Sequence, residues 1–213
     1  MKHFLSLALA FSLLGAIPVA GTQAAVKTAN GALLNIYGDY MLFACNKPVT
    51  LAGTAAPGAL ITAQLRRGDE VVRTGSSTVP ADGFFTLSMP GLDGGYTEYD
   101  LLGFASGSPT GHLRGVVFGL LWRASGQSNM QYPLSQTREG VTLAKTGGTD
   151  PFIRALDTPS YPEYNGSQEN IPFEPLNDIQ GAAWCTGTQT NKLLNISAVA
   201  YFFARELHRQ LGV

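Results

Sequence analysis

Apolar and polar positions change rhythm twice along the chain. Over residues 32–102 the apolar residues come in short runs divided by turn residues. Val49-Thr-Leu-Ala-Gly53 follows Asn46-Lys-Pro48 and ends at Ala55-Ala-Pro-Gly58. Leu60-Ile-Thr-Ala-Gln-Leu65 alternates imperfectly, Arg67-Gly-Asp69 marks a hairpin turn, and Glu70-Val-Val-Arg73 returns. Ala81-Asp-Gly83 then turns into Phe84-Phe-Thr-Leu-Ser-Met89. Strands at a spacing of roughly 8–12 residues with turn signals between them predict an antiparallel β-sandwich or jelly-roll-like domain.

The first change comes after the turn-rich Ser106-Gly-Ser-Pro-Thr-Gly111, where Val116-Val-Phe-Gly-Leu-Leu-Trp122 runs without a charge. Such a run suits a strand covered on both faces, as strands of parallel sheets are. Residues 135–191 are largely polar and hold one short strand candidate, Phe152-Ile-Arg-Ala-Leu156. The second change is helical: Val199, Phe202, Phe203, Leu207 and Leu211 recur at spacings of three and four and predict one buried stripe. Ser197 can cap the start of this helix and Gly212 its end. A strand, a crossing segment and a helix are how a parallel α/β layer is built. The reading is therefore α/β plus all-β, divided into residues 1–25, 26–114 and 115–213.

Composition narrows this picture. At 213 residues the chain suits one or two domains, and with 45% hydrophobic and 14% charged residues it should pack as a globular protein. A net charge of -1 without a basic run speaks against nucleic acid as a partner. Lys2 and His3 precede an apolar and small stretch over residues 4–19, broken by Gly15 and Pro18 and followed by small residues to Ala25. This is the pattern of a secretory signal peptide with cleavage near Ala24 or Ala25; the run is shorter than the ~20 apolar residues of a membrane span. The expected location is secreted, or lysosomal or periplasmic through the secretory route, with no membrane association after cleavage. Cys45 and Cys185 allow one bridge, but their separation across two domains favours two separate thiols. Asn165-Gly-Ser167 and Asn195-Ile-Ser197 are sequons.

Candidate chemistry centres on Ser128. It lies a few residues beyond the predicted buried strand, where ligands of α/β sheets bind, and beside Gly126, which permits a tight turn. On local pattern alone it reads as a turn serine or helix N-cap, because Gly126-Gln-Ser128-Asn-Met130 lacks the second glycine of a Gly-x-Ser-x-Gly elbow. The histidines offer no base: His3 leaves with the signal peptide, and His112 and His208 read as solvated surface residues with no acid at a useful spacing. Asp157 and Asp178 read as loop or turn residues. No cofactor or metal is expected.

Ser125-Gly-Gln-Ser128-Asn-Met130-Gln resembles the nucleophile block of the sialate O-acetylesterases, within the SGNH hydrolase superfamily. Asp39-Tyr-Met41, Asn46-Lys-Pro-Val and Gly53-Thr-Ala-Ala-Pro-Gly58 resemble the family's amino-terminal β-domain, and Trp184 with residues 197–207 its first major helix region. Leu120, where the family usually has an acidic residue, and Leu42-Phe-Ala-Cys45 depart from the pattern. The resemblance implies an amino-terminal β-sandwich followed by the incomplete start of an SGNH-type α/β/α (flavodoxin-like) hydrolase domain. It further implies removal of O-acetyl groups from sialic acids or related sugars through an acyl-serine at Ser128, with an O-acetylated sugar as the partner. Gln127, Asn129 and Met130 would shape the turn. The family's oxyanion glycine and asparagine and its Asp-x-x-His pair belong to later blocks that this sequence does not contain, so negligible esterase activity is expected of it. The competing reading is a non-catalytic product whose β-domain acts as a carbohydrate-binding or interaction module.

Overall fold

The computed structural model describes residues 32–146, 149–158, 178–179 and 181–213. The expected signal segment and the sequon at Asn165 lie outside them.

Period-two alternation builds the first core. In β3 (Val49–Thr54), β4 (Leu60–Arg67) and β6 (Phe84–Met89) alternate side chains such as Leu51, Ile61, Leu65, Phe85 and Leu87 turn inward and are buried. They meet Leu101, Val116 and Phe118 in one cluster between two sheets. One sheet has the order β1-β3-β6 with β1 at Ala32–Leu33; the other has the order β2-β8-β7-β4-β5. Its further strands are β2 (Leu42–Ala44), β5 (Glu70–Thr78), β7 (Gly95–Ala105) and β8 (Ser108–Gly119). The expected hairpin at Arg67 joins β4 to β5, with Gly68 in the left-handed region.

The apolar run at Val116 belongs to this sandwich and not to a second, parallel sheet. β7 and β8 form a long hairpin about Ser106 and Gly107, both at positive φ, so only these two residues of the expected 106–111 turn are outside strands. Residues 116–119 end β8, antiparallel to β7 and parallel to β2, with Phe43 opposite Phe118. The expected division after residue 114 falls inside this strand. Burial on both faces was read correctly: Val116 and Phe118 enter the core, and Val117 is 7% exposed beneath the following layer. The strand stops at Gly119, three residues before Trp122; Leu121 and Trp122 are each 57% exposed on an extended segment.

Residues 128–213 form a second layer with its own core. Its elements are α1 (Ser128–Gln131), a 3-10 turn (Leu134–Gln136), α2 (Arg138–Thr146), β9 (Arg154–Asp157), β10 (Ala183–Thr186), α3 (Thr190–Leu193) and α4 (Ala198–Leu211). Leu134, Ile153, Cys185, Leu193, Leu194, Ile196 and Tyr201 pack together inside it. The strand expected near Phe152 is β9, whereas α2 and β10 lie in a stretch whose polar composition concealed them. Among the described residues no parallel α/β sheet forms: β9 and β10 are antiparallel, and Trp184 lies on β10.

The helix of residues 197–211 is present with both caps. Ser197 Oγ accepts from Ala200 N–H at 3.3 Å, and Gly212, at φ 69°, donates its N–H to His208 O. Its buried face is only partly the expected stripe: Phe202 packs against the second core. Ala198 and Tyr201 face inward, while Val199, Phe203 and Leu211 are 45–56% exposed. Tyr201 wins the inward position because its hydroxyl finds a partner there, accepting Asp150 N–H at 3.2 Å. Cys45 and Cys185 are both free thiols, as expected. Burial pushes the Cys185 thiol up, and the Asp157 carboxylate adds to the effect.

Candidate active site

Ser128 is the first residue of α1 and is exposed, and its hydroxyl has no hydrogen-bond partner among the described residues. A short chain of contacts holds it in place. Met130 and Gln131 donate their N–H groups to Gln127 O, closing the turn. A side chain at position 126 would bring its Cβ to 3.0 Å from Met130 Cβ, a close approach that glycine makes without displacing Met130. Met130 Sδ accepts from Ser197 Oγ at 3.2 Å, tying the turn to the start of α4. Backbone bonds finish the attachment: Ala198 N–H to Tyr132 O, Leu134 N–H to Ile196 O and Ser135 N–H to Leu194 O. Gln127, Asn129 and Met130 thus belong to the turn, and Ser128 stands free at its tip.

No histidine among the described residues reaches Ser128. His112, on β8 opposite Leu102, pairs with Asp100 at 3.3 Å on the sandwich. His208 sits eleven residues beyond Ser197, roughly 16 Å along a helix. It is not the solvated residue expected: its side chain is 19% exposed, and Nδ1 lies 2.5 Å from Asp150 Oδ2. Its Nε2 is 3.1 Å from Tyr96 Oη on β7, and that hydroxyl donates to Gly212 O. Tyr96 and Phe152 stack at 4.2 Å, each with an edge or face against the His208 ring. Through Tyr96 this Asp–His pair joins the second layer to the sandwich, and it makes no hydrogen bond to Ser128. Asp150 was missed because 58 residues separate it from His208, a distance at which spacing says nothing.

The other carboxylates serve the structure. Asp178 accepts from Asn35 N–H and Nδ2–H at 2.8 and 2.9 Å, pinning the start of the sandwich, and Asp157 is exposed at the end of β9. Arg154 on β9 donates to Glu98 on β7 at 2.8 Å with its side chain only 6% exposed. Trp184 Nε1–H donates to Ile36 O at 2.8 Å. No group of three His, Cys, Asp or Glu residues suited to a metal occurs among the described residues.

No protein-family model matches the chain, and no curated protein matches it. Among solved structures it is similar to a carbohydrate acetylesterase from Xanthomonas citri, with a TM-score of 0.72 and 24% identity. The two chains share a fold. The match covers 86% of this chain and 38% of that one, so this chain spans well under half the length of the neighbour. A C. elegans MSP family member matches at a TM-score of 0.24, too weak a likeness to bear on the fold.

Proposed function

We propose that this chain carries the nucleophile of a carbohydrate O-acetylesterase of the sialate O-acetylesterase kind, within the SGNH hydrolases. The observation that carries the reading is the Gly126–Met130 turn, which presents Ser128 exposed and unpartnered in a fold shared with a carbohydrate acetylesterase. In this chemistry Ser128 Oγ attacks the acetyl carbonyl of an O-acetylated sialic acid or related sugar. The tetrahedral oxyanion collapses, the sugar hydroxyl leaves with a proton, and water releases acetate from the acetyl-serine. A serine hydroxyl needs a base, and among the described residues no histidine is hydrogen-bonded to it: His208 Nε2 faces Tyr96 Oη, and His112 Nε2 faces Asp100. In a well-studied serine protease, loss of the base alone lowers turnover roughly a millionfold. In this reading the described residues supply the nucleophile without its base, and passage through the secretory route to a secreted, lysosomal or periplasmic location belongs to the same proposal.

The test has two parts. The purified 213-residue chain should hydrolyse p-nitrophenyl acetate and O-acetylated sialic acid at negligible rates; turnover at ordinary enzyme rates, abolished by Ser128→Ala, would overturn the assignment of a missing base. Reading the coding sequence past Val213 tests the family: an asparagine block and an Asp-x-x-His segment support it. An immediate stop would favour the second reading, a non-catalytic carbohydrate-binding or interaction module, for which the self-contained sandwich core speaks.

A further inference from the structure

A cleft of about 170 Å³ opens between the sandwich and the second layer, and Ser128 is not among the residues that line it. Tyr40, Tyr96, Glu98, Phe152, Arg154 and Thr188 are among the residues that line it. We infer that this cleft is a subsite for a neutral saccharide, separate from the serine turn. Its position at the junction of two layers is where small-ligand sites concentrate.

Three aromatic rings face it from two layers, and each keeps a free surface: Tyr40 is 36%, Tyr96 48% and Phe152 47% exposed. Exposed rings around a concavity suit the apolar C–H face of a pyranose. The rings are held before any ligand arrives. Tyr96 is fixed by Gly212 O and His208 Nε2, and Phe152 donates its N–H to Asp150 Oδ1 at 2.9 Å. Tyr40 is held at φ 65°, a left-handed conformation unfavourable for a bulky residue. Its N–H donates to Arg114 O at 2.7 Å, and its ring lies over Gly115, where a Cβ would meet Cδ1 at 2.7 Å. Such preorganisation lowers the entropy lost on binding.

The polar groups decide the ligand's charge. Arg154 is 94% buried by its 6% exposure and holds Pro151 O and Glu98, yet its Nε–H has no acceptor among the described residues. Glu98 neutralises Arg154, so the cleft offers donors and acceptors without a net field, which suits vicinal hydroxyls better than a carboxylate. Thr188 adds a hydroxyl at the rim. The sugar class follows from the cleft itself and borrows nothing from the serine.

The experiment is titration of the 213-residue chain with cellotriose, maltotriose and xylotriose as neutral probes and galacturonic acid as the anionic one, followed by NMR. Because none of these carries an acetyl ester, its outcome is independent of hydrolysis. At least one neutral probe should shift aromatic resonances of Tyr96 and Phe152. Phe152→Ala should weaken that binding by about tenfold, and Glu98→Gln by several-fold. Both side chains are half exposed, so the fold should survive, and Glu98→Gln decides alone if Phe152→Ala unfolds. Absence of binding by every neutral probe, tighter binding of galacturonic acid, or binding unchanged in the folded variants would each overturn the inference.

Discussion

Whether the second layer is a core in its own right can be decided at Tyr201. The residue is fully buried at the centre of the second cluster, beside Phe202 with ring centroids 5.6 Å apart and under the Arg205 guanidinium. Its hydroxyl accepts Asp150 N–H, so Tyr201→Phe removes one acceptor and should cost about 1 kcal/mol. Tyr201→Ala also empties the site and should cost about 3–5 kcal/mol, by analogy with other aromatic truncations. That is a large share of the roughly 5–15 kcal/mol that holds a whole domain together. The second cluster has seven buried residues against sixteen in the sandwich, so it is the unit that gives way. Both tryptophans, Trp122 and Trp184, lie beyond β8 and report on the second layer by fluorescence, Trp184 through its packing against the sandwich core, while NMR of the β4 and β7 amides reports on the sandwich itself. In urea, Tyr201→Ala should lower the midpoint of the fluorescence transition and leave that of the sandwich amides in place. Limited proteolysis of the variant should leave a fragment ending in the extended segment at residues 120–126, beyond the end of β8. If both probes move together by the same amount, the chain is one cooperative unit. If Tyr201→Ala costs less than about 1 kcal/mol, the cluster is not a packed core.

Four further outcomes follow from local geometry. Thiol titration with Ellman's reagent should find Cys45, half-buried, reacting well before Cys185, with both reacting in guanidinium. Because burial raises the Cys185 thiol, the folded chain keeps a proton that the unfolded chain loses above about 9.0, so stability should fall as pH rises past that value. Gly187→Ala would place a Cβ 1.6 Å from Asp150 O and should cost at least 1–3 kcal/mol, read as a lowered urea midpoint; an unchanged midpoint would show that the loop yields freely. The Glu206 carboxyl, bonded by Arg209 and Gln210, is held down to about 2, so its ion pair should persist as pH drops below 4.5 and be lost only near 2. An NMR titration showing an ordinary glutamate there would contradict this.

The sandwich was legible because each strand buries one face, and period two reports that directly: the inward set at Leu51, Ile61, Leu65, Phe85 and Leu87 can be read from the residues alone. β8 misled for a physical reason. A strand end with Val117 covered on one side and Phe118 on the other has the same apolar signature as a parallel strand, and nothing local says which sheet receives it. The serine turn was legible as a motif, with Gly126 packed closely on Met130, but the pairing of His208 with Asp150 and Tyr96 depends on residues 58 and 112 positions away. The helix shows the limit most clearly. Its period correctly reported an apolar stripe at Val199 and Phe203, yet amphipathicity cannot name the neighbour, and the layer beneath took the opposite edge at Ala198 and Tyr201. The stripe meets instead the extended segment after β8, where Trp122 packs edge-on against Phe203 at 5.2 Å. The two places where periodicity most strongly promised burial are therefore in contact with each other and half exposed, each covering part of the other's apolar surface.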